Sequence, residues 1–216
     1  GDDKPRVKMP NASKQALAWE RKAIKTGQPI KVFVQSMSDF FDKLADPAWR
    51  TEAWDTIKRT PHLRYQILTK RSGLVEKFMP GDWRPGSNAG YEHVGLMFTV
   101  VTQRDADREV PRLLRLKDKF KFTWVGLSIE PLHEPIRLAP EWLGELGWAI
   151  VGGKSQRNKA KLAVMPPYDM NAARDIMDSC VGAGVPVFHK QTGSKAVYNG
   201  VPYRTEHWKG EVPAQW

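Results

Sequence analysis

The chain alternates short apolar runs with longer stretches in which apolar residues recur at helical spacing. Six runs stand out: Val32–Val34, Tyr65–Leu68, Val94–Val101, Phe122–Leu127, Trp148–Val151 and Val185–Phe188. Each is near-continuous rather than alternating, as in strands buried on both faces of a parallel sheet. Between them, Pro47–Arg59 carries Trp49, Ala53, Trp54 and Ile57 at helical spacing. Asp105–Lys117 carries Ala106, Val110, Leu113, Leu114 and Leu116, with Asp105 as a candidate cap. Tyr168–Val181 sets Met170, Ala173, Ile176, Met177 and Cys180 on one face, and Gly182 and Gly184 follow as stop signals. The gaps Leu74–Trp83 and Leu132–Leu146 hold short apolar stretches and several prolines and predict no definite element. Arg84–Gly90 reads as a loop, and Asn199-Gly200 between Val197-Tyr198 and Val201 reads as a hairpin turn.

Strand alternating with helix predicts right-handed βαβ units and an α/β fold class. A full eight-fold barrel takes about 250 residues. This chain, at 216 residues, is short for that. The expectation is a partial (β/α), TIM-like barrel of about six parallel strands, with a doubly wound open sheet as the alternative. One domain over residues 1–216 is expected, with a tail or hairpin over 193–216. The start at Gly1, followed by a charged stretch, is read as a missing N-terminal segment.

Charge and cysteine narrow the chemistry. Lys and Arg number 34 against 24 Asp and Glu, a net charge of 34 − 24 = +10, which points to a polyanionic partner or an anionic substrate. No apolar run approaches the roughly 20 residues of a spanning helix, and no apolar signal core is present at the start. One cysteine, Cys180, excludes an intrachain disulfide and any cysteine cluster made by this chain alone; it reads as a buried apolar residue. Cysteine poverty fits a reducing cytoplasm, the expected location.

In parallel α/β folds chemistry lies at the carboxyl ends of the strands. All six ends are polar. They read Gln35-Ser36-Met37-Ser38-Asp39, Thr69-Lys70-Arg71, Thr102-Gln103-Arg104, Ser128 with Glu130-Pro131, Gly152-Gly153-Lys154-Ser155, and His189-Lys190-Gln191. Parallel strands would bring these groups to one rim. Glu130 is either a ligand for a substrate amine or hydroxyl, or a salt-bridge partner of Lys70 or Lys190. Gly152-Gly153 either presents amides to a ligand or forms a tight turn. Lys154, Arg157, Lys159 and Lys161 border the rim and could neutralise phosphates, with a solvated loop as the alternative. Trp208 and Trp216, in the polar tail, could stack on bases. His62, His93, His133, His189 and His207 are scattered without zinc spacing, and no Gly-x-Ser-x-Gly elbow is present. A weaker reading is an enzyme for a phosphorylated small molecule, with Lys70 or Lys190 as Schiff-base or electrostatic group and Glu130 as acid or base.

Five ordered segments carry a resemblance: residues 32–42 (Val-Phe-Val-Gln-Ser-Met-Ser-Asp-Phe-Phe-Asp), 66–71 (Gln-Ile-Leu-Thr-Lys-Arg), 128–132 (Ser-Ile-Glu-Pro-Leu), 151–155 (Val-Gly-Gly-Lys-Ser) and 185–191 (Val-Pro-Val-Phe-His-Lys-Gln). Ala106-Asp107-Arg108 to Leu114, and Arg174-Asp175 with Cys180, agree with the same pattern. From about Lys8 to Gln191 the chain resembles a phage and prophage family of radical-SAM-like barrel proteins, encoded beside a three-Cys-motif partner protein. The resemblance implies a [4Fe–4S] cluster on an N-terminal three-cysteine loop, absent from this sequence, and S-adenosylmethionine as co-substrate. It implies modification or repair of a nucleic acid or nucleotide in the bacterial host, and a partner protein. Its motif positions fall on Ser36, Ser38, Asp39, Thr69, Arg71, Ser128, Gly152, Gly153, Ser155 and Gln191 as cofactor contacts, with Lys70, Glu130 and Lys190 as catalytic groups. Where the family has Gly-Gly-Glu-Ser this chain has Lys154, which reverses the local charge. Where it has Lys-Gln-Trp-Gly, Thr192 stands in place of the Trp. Without the cysteine loop, the other reading is a degenerate barrel that binds nucleic acid or a partner protein.

Overall fold

The computed structural model describes residues 5–34 and 38–203. All six expected strands form: β1 (Ile30–Val34), β2 (Leu63–Thr69), β3 (Val94–Thr99), β4 (Val125–Ile129), β5 (Trp148–Gly152) and β7 (Val187–Gln191). They make one parallel sheet in the order β1-β2-β3-β4-β5-β7. A short β6 (Tyr168–Asp169) joins β8 (Ala196–Tyr198) and β9 (Val201–Tyr203) in a second sheet. The order of the large sheet never reverses. A doubly wound sheet needs such a reversal, so the alternative expected from the pattern is overturned, and the sequential winding of (β/α) units is what is found.

The helices are α1 (Ala12–Thr26), α2 (Pro47–Lys58), α3 (Val75–Phe78), α4 (Gln103–Phe120), α5 (Pro140–Leu143), α6 (Lys159–Val164) and α7 (Met170–Gly182). Asp46 caps α2 through Ala48 N at 2.8 Å, and Pro47 occupies its first turn. Asp105 is not the cap of α4 but lies inside its first turn; the Thr102 hydroxyl accepts from Asp105 N at 3.2 Å and takes that role. The turn signal at the C-terminal hairpin is confirmed. Asn199 and Gly200 have φ of 51° and 75°, the two left-handed positions of a two-residue turn between antiparallel β8 and β9. Among the described residues no helix is long and apolar enough to cross a membrane.

The chain divides into two compact units: Gly1–Met97 with Arg115–Trp124, and Phe98–Leu114 with Val125–Trp216. The core of the first is aromatic. Trp83 stacks on Tyr91 with centroids 4.5 Å apart, and Trp54 meets both rings and Phe40 edge-on. Helix α1 is tied to the start of β2 by Glu20, which accepts from His62 N at 3.2 Å and pairs with its ring at 2.6 Å. The core of the second unit is aliphatic, with Val125, Leu127, Ile129, Ala149 and Val151 fully enclosed. Cys180 lies in that core on α7, where burial pushes its thiol up to about 11.

Candidate functional site

The strand ends of the first unit form a closed polar knot. Asp39 Oδ1 accepts from Phe41 N at 3.0 Å and from the Thr69 hydroxyl at 2.7 Å, and Oδ2 accepts from Lys70 N at 2.9 Å. Thr69 Oγ1 in turn accepts from Arg71 N at 2.8 Å. Asp42 accepts from Leu44 N at 3.0 Å and Arg6 Nε at 2.7 Å, with Arg71 at 3.5 Å. Burial pushes the Asp42 carboxyl up. The Leu44 and Arg6 hydrogen bonds and the Arg71 charge outweigh it, and its pKa falls below the ordinary 3.8. Asp39, the carboxylate expected to face a cofactor, is thus spent on pinning the segment after β1 to the end of β2, and Asp42 adds a second tie. Ser38 and the Lys70 side chain are exposed, while Ser36, Trp208 and Trp216 lie outside the described residues.

The strand ends of the second unit are arranged differently. Parallel registers set Gly126 beside Trp148 and Ser128 beside Ile150, and Ile150 stands beside Phe188. Side chains on paired positions share a face. Val100 N donates to Ser128 O at 3.0 Å, just as Ala149 N donates to Pro186 O where Ala149 pairs with Val187. The same offset pairs Val100 with Ile129, and hence Thr99 with Ser128. Thr99, Ser128, Ile150 and Phe188 therefore line one row of one face. Among the described residues the buried Thr99 Oγ1 has no hydrogen-bond partner, and Ser128 is 2% exposed.

Glu130 follows two residues beyond Ser128. Its Oε2 accepts from Lys190 Nζ at 2.9 Å and its Oε1 from Gln191 Nε2 at 3.1 Å. The register shifts between Val151 and Gly152, so that Gly152 pairs with Gln191 rather than Lys190. This irregularity brings two successive β7 residues to the same carboxylate. Gln191 Nε2 also donates to Gly153 O at 3.1 Å, and its Oε1 accepts from the Ser155 hydroxyl at 3.1 Å. Of the two partners open to Glu130 in the sequence, Lys190 is the one found.

Gly153 is required by a close approach. A Cβ there would lie 2.2 Å from Thr192 O and 2.9 Å from Tyr168 Cγ. At Gly152 a Cβ would make ordinary contact, 3.5 Å from Glu130 Oε1. Tyr168 Oη and His189 Nε2 share a hydrogen bond of 2.9 Å. Burial, with the Glu130 charge, raises the phenol pKa, and burial lowers that of the imidazole, so both rings are held neutral.

Beyond Gly153 the chain is zipped to the segment after β7. Gly153 N donates to Gln191 O at 2.7 Å, Ser194 N to Lys154 O at 3.0 Å, and Gln156 N to Ser194 Oγ at 2.8 Å. Asn158 then caps α6 through Lys161 N at 3.0 Å. Lys154, Arg157, Lys159 and Lys161 are all exposed on this anchored segment, and none of their side chains is paired among the described residues. No acidic residue occurs between Leu146 and Tyr168.

Sequence reasoning missed Thr99 and Tyr168 as parts of this region. Thr99 is a polar residue inside an apolar run, on the parity that matches Ser128, and that was its signal. Among the described residues no group of three or more His, Cys, Asp or Glu is placed to hold a metal ion.

A family model described as a protein of unknown function, DUF5131, matches residues 3–212, and the chain belongs to that family. No curated protein and no solved structure matches the chain.

Proposed function

We propose that this member of the DUF5131 family binds a nucleic acid or nucleotide along the strand ends of its second unit. The observation that supports the reading is the anchored segment 153–161. It carries four exposed cations, unpaired among the described residues, with no acidic residue on the stretch, beside the half-buried Glu130–Lys190 pair. Unpaired cations on an anchored backbone can meet phosphates without breaking ion pairs within the protein, and they release counterions from a polyanion. Their field is not cancelled locally, unlike that of the cations around the strand-end knot of the first unit, where Arg6 and Arg71 meet Asp42, and of Lys58, which meets Asp82.

The test is titration of a fluorescent single-stranded oligonucleotide at several salt concentrations. Affinity should fall steeply with salt. Replacing Lys154, Arg157, Lys159 and Lys161 together by Gln should lower the slope of log affinity against log salt by up to about 3, at roughly 0.7 per phosphate contact. Binding that is independent of salt, or untouched by the fourfold replacement, overturns the reading.

A second reading is a phage-type radical-SAM-like enzyme on a partial TIM-like barrel that modifies a nucleic acid or nucleotide, working with a partner protein. The face shared by Thr99, Ser128, Glu130 and Gln191 favours it, since it gathers hydroxyl, carboxylate and carboxamide groups at the ends of parallel strands. The residues present do not fit an iron–sulfur cluster. Such a site takes three thiolates, and this chain offers one cysteine, buried on α7. No step is therefore derived through a cluster, and this reading draws its thiolates from sequence outside these 216 residues. Iron and sulfide content of the complete gene product, purified without oxygen, tests it. About four irons per chain support it and none overturns it.

A further inference from the structure

The first unit carries a groove apart from its strand ends, and this inference is independent of the nucleic-acid reading. The groove, of about 350 Å³, lies between α2 and the turn over Lys77–Asp82; Trp54, Phe78 and Tyr91 line it together with Arg50, Lys77 and Asp55. Arg50 is 9% exposed. Its Nε donates to Phe40 O at 3.2 Å and its Nη2 to Asp42 O at 2.7 Å, and the guanidinium sits 3.9 Å from the centroid of the Phe78 ring. Both acceptors are main-chain carbonyls.

The carboxylate whose charge acts on Arg50, that of Asp42, is shared with Arg6 and Arg71, which pair with it directly. Among the described residues Arg50 has no ion-pair partner, and its Nη1 donates to nothing. A cation held nine-tenths out of water with no ion pair of its own, and only the shared Asp42 charge acting on it, is costly. Such a residue favours any anion that can reach it. Its planar fork also suits a carboxylate better than a lysine would.

We propose that this groove binds a small monocarboxylate with an aromatic or apolar body. The carboxylate meets Arg50 Nη1, with the Lys77 ammonium adding positive charge at the rim. The body lies against Phe78, with the buried Trp54 and Tyr91 forming the floor behind it. The acidic groups on the groove decide the charge of the ligand. Asp82 is already occupied by Lys58 and the Tyr91 hydroxyl. Asp55 is exposed and repels a second negative charge, so a monoanion is preferred to a nucleotide. The volume falls at the small end of ligand pockets, about 300 to 1,000 Å³.

Fluorine NMR of 4-fluorophenylacetate with the full chain tests the proposal, with neutral 4-fluorophenylacetamide as the control. The acid should broaden on binding, and the amide should bind roughly tenfold more weakly, the value of one charge-assisted hydrogen bond. Thr51→Trp, at an exposed α2 position lining the groove, should abolish binding, and Lys77→Met and Arg50→Lys should weaken it. Circular dichroism establishes folding; if Arg50→Lys is unfolded, the other two variants decide. Equal binding of acid and amide, binding that survives Thr51→Trp, or no binding at about 10 mM probe overturns the proposal.

Discussion

The two units build the ends of their strands from the same residue types and use them oppositely. After β1 and β2, Asp39 and Asp42 accept from five main-chain and side-chain donors within the unit, with Arg71 close by. After β4, β5 and β7, one carboxylate accepts from two side chains at the edge of a row that holds a hydroxyl with no partner among the described residues, and four cations beyond it are unpaired among them. A polar strand end is therefore not a site by composition. It becomes a candidate when the fold leaves donors, acceptors or charge unspent.

The largest effect should come from the crossing that fixes the second region. Gly153→Ala places a methyl group against Thr192 O and should cost about 3 kcal/mol in urea unfolding, because a backbone has to move. A cost below about 0.5 kcal/mol would mean that the cationic segment is not anchored as described. Asp39→Ala comes next. Losing acceptors for Phe41 N, the Thr69 hydroxyl and Lys70 N should cost about 2 kcal/mol and leave oligonucleotide affinity unchanged. A loss of affinity without loss of stability would erase the contrast between the units.

Glu130→Gln should have a smaller effect on stability, at most about 1 kcal/mol, because Lys190 is half-exposed and the pair is screened. Its effect on oligonucleotide binding should be an increase, since a negative charge beside the cations is removed. Weaker binding would point to direct recognition by Glu130.

The smallest effect is on pH dependence. His93 and His189, one in each unit, are held neutral by burial, below the ordinary 6.5. The unfolded chain then binds more protons than the folded one below that value. Stability should rise as pH rises toward 6.5 and fall on acidification. His93→Gln and His189→Gln should each flatten that slope. Asp42 has the opposite chemistry and a lower window: its stabilisation is present above 3.8 and is lost as pH falls through its depressed value. Asp42→Asn should flatten only this acid limb, as followed by the urea midpoint at each pH.

The central strands β3, β4 and β5 were legible because both faces of each are covered, which forces unbroken apolar runs; Val125–Ile129 contains only Ser128 as a polar residue. Helix α1 was not legible. Its inward positions are Ala16, Glu20 and Ala23, two small residues and a charge, and a buried glutamate breaks the periodicity that announces a helix. The Glu130–Lys190 pair could be read as one of two options because each lysine follows an apolar run. The choice depended on the register shift opposite Gly152, which has no local sequence signal. The Arg50 groove was not legible at all, since it depends on which carbonyls a helical arginine reaches ten and eight residues upstream.

The lacing of 153–156 to 191–194 has a consequence for heredity and for engineering. Three main-chain donors and a glycine at each crossing point, Gly153 and Gly193, make the two stretches one unit of exchange. A recombinant or chimera that imports one of them from a relative with a different length inherits half a seam. Transplanting both together should preserve the fold and carry the donor's ligand preference with it.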